Sequence, residues 1–272
     1  MTETPYAELH CHSSFSFLDG ASHPEALVDE ASRLGLCGLA ITDHDGLYGA
    51  VQLAEAARAC GMPTVFGAEL TLGAVRVSSG EADPGGTHLV VLAEGPVGYA
   101  RLARAISDAQ LAGRKGVPRC SLDALVDAAR APVHLHPRAS VGNESWFVLT
   151  GCRKGAVARA LVDVGPAAAR AALDRLVAGF GRDRVLVELW DHGDPIDRPR
   201  NDALAEVAAR AGVRVVATSN VHYATPRQRP LASALAAVRA RRSLDALDGW
   251  LPAGPMAHLR SGAEQARRLA RY

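Results

Sequence analysis

Four short stretches of this 272-residue chain carry side chains of types able to coordinate metal ions: His10-Cys11-His12, Thr42-Asp43-His44-Asp45, Gly67-Ala68-Glu69 and Asn220-Val221-His222. Each follows a short, mostly apolar run. Side chains in a strand alternate faces, so an H-x-H pair sends two imidazoles to one side and Cys11 to the other, which leaves Cys11 off the site. Imidazole nitrogens mixed with carboxylate oxygens suit zinc, manganese or iron, and a carboxylate can bridge neighbouring ions. Two ions a few ångström apart polarise a phosphate and generate hydroxide near neutral pH, so phosphoester hydrolysis is the chemistry expected. Taken singly, each residue has a plainer reading: a lone histidine is more often a packed, hydrogen-bonded side chain, Glu69 alone could cap a turn, and Cys152 alone would be a small buried hydrophobe. H-x-H followed by D-G, then T-D-H and G-x-E after successive strands, is hard to obtain from packing alone.

The elements that must position these residues alternate. A strand at Tyr6 to Leu9 leads to a helix from Pro24 to Leu34, signed by a Ser22/Glu25 capping box, Pro24 in the first turn, Leu27, Ala31 and Leu34 on one face, and Gly35 at its end. Gly38 to Thr42 reads as a buried strand and Leu47 to Cys60 as a helix stopped by Gly61 and Pro63. Further strands are expected at Thr64 to Phe66, Leu70 to Val77, His88 to Ala93, Trp146 to Thr150, Arg184 to Leu189 and Val213 to Ala217. This pattern predicts an α/β barrel of parallel strands covered by helices, with the chemistry at the C-terminal ends of the strands. Residues 1–225 form the barrel, residues 226–272 a helical C-terminal segment, and the stretches 78–86, 113–119 and 131–145 connecting loops.

Lys+Arg total 30 against 29 for Asp+Glu, a net charge of +1, so bulk electrostatics gives no reason for a nucleic-acid surface, and any such affinity must be local or supplied by a partner. Five cysteines without a CxxC pair argue against a disulfide framework and for a reducing, cytoplasmic setting. No run approaches the roughly 18 apolar residues of a membrane span, and no membrane partner is expected.

The run HCHSSFSFLDGAS, then ITDHDGLYGAVQLAEAA, FGAEL and THLVVLAEGPVGYARL, resembles the PHP domain at the N-terminus of bacterial C-family DNA polymerases over essentially the whole chain. The phrases LTGCRKG and RRSLDALDGW are most similar to the error-prone, damage-inducible branch. The resemblance implies a distorted (β/α)7 barrel holding up to three ions of zinc, manganese or iron. Its nine ligand positions fall on His10, His12, Asp19, His44, Glu69, His88, Cys152, Asn220 and His222, with Asp19, His44 and Glu69 nearest the reaction. Active relatives carry D-x-H where this chain has Asn220-Val221-His222. An amide oxygen brings no charge and bridges poorly, so metal binding is a firmer expectation than 3′–5′ exonuclease activity. By resemblance a polymerase would continue beyond Tyr272 into its palm, so the remainder of such a polymerase is the expected partner and a DNA 3′ end the expected substrate. Alternatives are a free-standing phosphatase for a small phosphomonoester such as histidinol phosphate, and a purely structural polymerase domain.

Arg101, Arg104, Arg114, Lys115 and Arg119 read as a solvated face rather than a DNA contact. Arg239, Arg241, Arg242, Arg267 and Arg268 could meet a polymerase body as easily as DNA. His134 and His136 repeat the H-x-H spacing but read as loop, and Asp43 and Asp45 are expected to orient His44.

Overall fold

The structure, a computed structural model, describes residues 4–73, 86–114, 117–132, 146–247, 250–251 and 254–272. In chain order the elements are β1 (Ala7–Glu8), α1 (Pro24–Arg33), β2 (Gly38–Ile41), α2 (Ala50–Cys60), β3 (Thr64–Leu72), β4 (Thr87–Ala93), α3 (Gly95–Ala112), α4 (Leu122–Arg130), β5 (Trp146–Leu149), α5 (Ala156–Asp163), α6 (Pro166–Phe180), β6 (Val185–Leu189), α7 (Asp197–Ala211), β7 (Arg214–Ala217), α8 (Arg229–Ala240) and α9 (Gly262–Leu269). The seven strands form one sheet in sequential order, as a curled α/β barrel requires. Its two edges meet beyond the ends of β1 and β7 through a parallel bridge between Cys11 and Val221, where the His12 and Val221 amides donate across at 2.8 Å each. The lysine at 115, the stretch from 78 to 85 and both His134 and His136 lie outside the described residues.

The expected parallel order is broken at one strand. β4 runs antiparallel to both β3 and β5, while the other pairs are parallel. The sequence joining β3 to β4, S-S-G-E-A-D-P-G-G, carries turn formers rather than a helical period, and antiparallel neighbours need no crossover helix. The inversion matters for the site: the beginning of β4, not its end, lies at the rim where the other strands finish. The two runs expected at Thr64 and Leu70 are one strand, β3. The capping box expected at Ser22 does not form. His23 holds the N-cap position, and the Ser22 hydroxyl donates to Gln228 and accepts from the Ala224 amide, because the C-terminal segment packs against this turn.

Strand alternation divides the barrel into layers. Ala40, Val90, Leu92 and Leu149 form an apolar plug backed by Val65, Leu186 and Val216. Two residues further on the same faces stand polar groups, His88 beside Val90 and Glu188 beside Leu186. Outside the sheet, Leu27, Val28, Ala31, Leu53 and Ala57 of α1 and α2 cover one flank, with the Cys11 side chain among them. Leu102, Leu173, Leu176 and Leu204 of α3, α6 and α7 cover the other. The C-terminal segment packs on the barrel: the Ala257 carbonyl accepts from the amides of His222 and Tyr223, and buried Arg260 donates to the carbonyls of Asp191 and Met256.

Candidate metal centre

Glu69 is the hub. It is 1% exposed and lies on the inward face of β3, in register with Val90 and bridged to His44 on the neighbouring strand connection. Its Oε2 lies 3.0 Å from His88 Nδ1, 3.2 Å from His44 Nδ1 and 3.5 Å from His12 Nε2, and its Oε1 lies 3.5 Å from His10 Nε2. Two compact sets of donor atoms result, one from His10, His12 and Glu69, the other from His44, Glu69 and His88. A third corner opens beside them: Asp19 Oδ2 is 3.0 Å from His44 Nε2 and 3.2 Å from His222 Nε2. Cys152 Sγ, buried at the end of β5, sits 3.5 Å from His88 Nδ1. Asn220 joins through its backbone, whose carbonyl accepts from His222 Nδ1 at 3.0 Å, while its buried side-chain Oδ1 has no hydrogen-bond partner among the described residues.

The backbone is bent to make this possible. Leu18, Asp45 and Asn220 adopt φ of 61°, 48° and 42°; the first two adjoin the expected ligands Asp19 and His44, and Asn220 is itself one. Left-handed backbone is costly for a γ-branched leucine and cheaper for Asp and Asn, so Leu18 marks strain held by its surroundings. Gly20 is required because a Cβ there would lie 1.9 Å from the Ser13 carbonyl oxygen. Gly155 likewise has no room, its Cβ falling 2.0 Å from the Thr150 carbonyl oxygen, which keeps the Cys152 turn tight.

The charges oppose one another at close range. Burial favours the neutral acid at Glu69, yet His88 and His10 outweigh it and hold the carboxyl well below the usual range. Burial works against protonation of His10, but Glu188 and Glu69 prevail and raise it well above an ordinary imidazole. His44 is likewise pushed up to about 9, the hydrogen bond to Asp19 and the charge of Glu69 overcoming burial. His12 is driven down by burial, with cationic His44 beside it. Burial and the nearby Glu69 raise the Cys152 thiol.

The groups behind the candidate ligands are mostly ones the sequence reading missed. Asp43 and Asp45 do not orient His44. Asp43 accepts from the Ser13 amide, the Ser13 hydroxyl and the Ser16 hydroxyl, bracing the H-x-H loop, and Asp45 accepts from the Thr71 amide. Their side chains are committed to backbone and hydroxyl donors before they can reach the ring. Glu188 is the true orienting group: fully buried on β6, it lies 2.6 Å from His10 Nδ1. The one available signal was a carboxylate inside the apolar strand V-L-V-E-L. Ser16 sits 3.3 Å from His12 Nδ1, and Arg239 reaches Asp19 from α8. Of the other arginines, Arg104 pairs with Asp108 and Arg268 with Glu264 and Asp191.

A profile described as "PHP domain" matches residues 8–192. The chain is 58% identical over 270 residues to the error-prone DNA polymerase of Cutibacterium acnes, covering 98% of this chain and 23% of that protein. It is 56% identical over 266 residues to the error-prone DNA polymerase of Mycobacterium bovis, again 23% of the longer protein. A solved structure from Bifidobacterium adolescentis, assigned as a metal-dependent phosphoesterase, superposes with a TM-score of 0.53 at 20% identity, over 82% of this chain and 89% of that one, a likeness of fold alone.

Proposed function

The chain belongs to the PHP domain family, and from that premise we propose that it is the metal-binding domain of an error-prone DNA polymerase, built to cleave phosphoesters at a DNA 3′ end but attenuated in that activity by Asn220. The observation that carries the reading is one buried carboxylate, Glu69, faced by four imidazoles within 3.5 Å. Cations fit this donor set. Glu69 Oε1 and Asn220 Oδ1 are both buried and without hydrogen-bond partners among the described residues, a costly arrangement that coordination would relieve.

His10, His12, Asp19, His44, Glu69, His88, Cys152, Asn220 and His222 would hold up to three ions of zinc, manganese or iron. Bound there, such ions supply a polarised phosphate and a hydroxide near neutral pH. Glu69 remains ionised in its ring of imidazoles and fixes their spacing. Glu188 and Ser16 turn the His10 and His12 rings toward it. Asp19 and His44, with side chains 19% and 27% exposed, form the open side where a phosphate would enter. Phe17 and Tyr48, 78% and 62% exposed, stand on the same two loops and offer ring faces to unpaired bases, which favours a single-stranded DNA end over a small phosphomonoester. The five cysteines are free, which suits a cytoplasmic enzyme, and among the described residues no helix is long and apolar enough to cross a membrane. The rest of the polymerase is the proposed partner, with the domain also serving as scaffold.

Metal content and manganese-dependent degradation of single-stranded DNA, measured for the natural chain beside Asn220→Asp, test this reading. Both should rise in the variant. Well under one ion per chain after chelator-free purification would overturn the metal centre. Turnover of small phosphomonoesters without action on DNA would overturn the substrate, and equal, robust nuclease activity in both proteins would remove the role given to Asn220.

A further inference from the structure

The third corner of the cluster holds a cation of the protein's own. Arg239, in the last turn of α8, donates from a terminal guanidinium nitrogen to Asp19 Oδ1 at 2.6 Å, while Oδ2 of the same carboxylate faces His44 and His222. The contact is built into the fold. The start of α8 is tied to the turn that follows Asp19, with the Ser22 hydroxyl donating to Gln228 Oε1 at 2.8 Å and Ala21, Tyr223 and Ala257 packing against Ala232 and Leu235. The end of α8 is set by Ala237 and Ala240 against Leu247 and Trp250. Arg239 is therefore delivered to Asp19 from both ends of its helix.

The charges decide the consequence. Around Glu69 a full negative charge meets neutral or protonatable rings. Around Asp19 the carboxylate is already matched by a guanidinium, and Asn220, beside His222, adds none. A dication at Asp19 Oδ2 would face a like charge a few ångström away in a partly buried site, where screening is weak.

We propose that Arg239 is a resident counter-ion of the Asp19, His44 and His222 corner, limiting that corner to weak metal binding while the two Glu69 corners load tightly. This rests on the metal-centre reading above and goes beyond it, since the first two ions are expected whether or not Arg239 acts in this way. Because Arg239 is 36% exposed, it can swing into solvent when the corner is filled. Arg239 thus sets how many ions the domain carries at a given metal concentration.

Manganese binding by titration calorimetry, with ion counts by mass spectrometry after gel filtration, tests this on the natural chain, Arg239→Ala, Arg239→Met and Arg239→Lys, each checked by circular dichroism for a native melt. The natural chain should hold two ions, with a third at least tenfold weaker. The alanine and methionine variants should bind the third ion at least tenfold more tightly, and the lysine variant should follow the natural chain. Methionine keeps the apolar stem should alanine loosen α8. Three equally tight ions in the natural chain, no change in either charge-free variant, or a lysine variant that behaves like them would overturn the proposal while leaving the metal centre intact. No tight ion in any of the four would overturn both.

Discussion

Removing the charge from Glu188 isolates the group behind His10, the first of the candidate ligands. Glu188 is fully buried, its Oε1 is 2.6 Å from His10 Nδ1, and its Oε2 has no hydrogen-bond partner among the described residues. Glu188→Gln keeps the shape and leaves a neutral acceptor for the ring N–H. A hydrogen bond to a charged group contributes roughly 1.5–3 kcal/mol, against roughly 0.5–1.5 kcal/mol for a neutral one, so the substitution should cost about 1–1.5 kcal/mol of support for His10 as a ligand. That is about tenfold in affinity, the lower end of the roughly 10–100-fold losses typical when the group behind a metal-bound histidine is altered. Relief of the desolvation carried by a buried carboxylate offsets part of the loss of its pairing with His10 when metal is absent. The two separate by experiment: calorimetry with manganese should show about tenfold weaker binding, whereas the melt in chelator should fall near neutral pH, where Glu188 supports protonated His10, and converge on that of the natural chain as pH rises. Manganese affinity within twofold of the natural chain would refute the claim that Glu188 sets the basicity and aim of His10.

Two further outcomes follow from the same geometry. His44, raised to about 9, and His10, raised well above its ordinary value, bind more protons in the folded chain than in the unfolded one, where both titrate near ~6.5. Their contribution is complete below that value and lost as pH rises through the folded values, so the melting temperature in chelator should fall between pH 7 and pH 9. His12 and His222 are lowered and act below this window; a flat or rising profile would refute the assignment. Leu18→Gly should release left-handed strain and raise stability by roughly 0.5–1 kcal/mol in denaturant titration, while loosening the loop that carries Asp19; a loss of stability would show that the Leu18 side chain contributes more than its backbone costs.

Much of the candidate site was legible because its metal-capable residues sit at fixed offsets from strand ends, where alternation turns H-x-H to one face and G-x-E to the same rim. The strand sequence was also legible, since short β-branched runs punctuated by glycine leave few other readings. The direction of β4 was not: period-2 patterning says which residues face inward and nothing about which way the chain runs. His88 was placed through resemblance, and its geometric reason, an inverted strand presenting its first residues to the common rim, came only with the pairing register. Glu188 and Arg239 were missed for another reason. Each acts on a residue far away in sequence, and no local spacing records a contact made between elements.

The bridge between Cys11 and Val221 and the contact of His10 with Glu188 link the first strand to the last two, the latter across 178 residues. On a ribosome adding roughly 5–20 residues each second, the first histidines would wait on the order of 10–40 s for their partners to emerge. Closing so long a loop is entropically slow. The third corner, which needs His222, therefore closes only after nearly the whole barrel has been made, and a chain cut short before residue 188 would present His10 without the carboxylate that aims it. Occupancy of the third corner, rather than of the two Glu69 corners, would in this way report that synthesis of the barrel is complete.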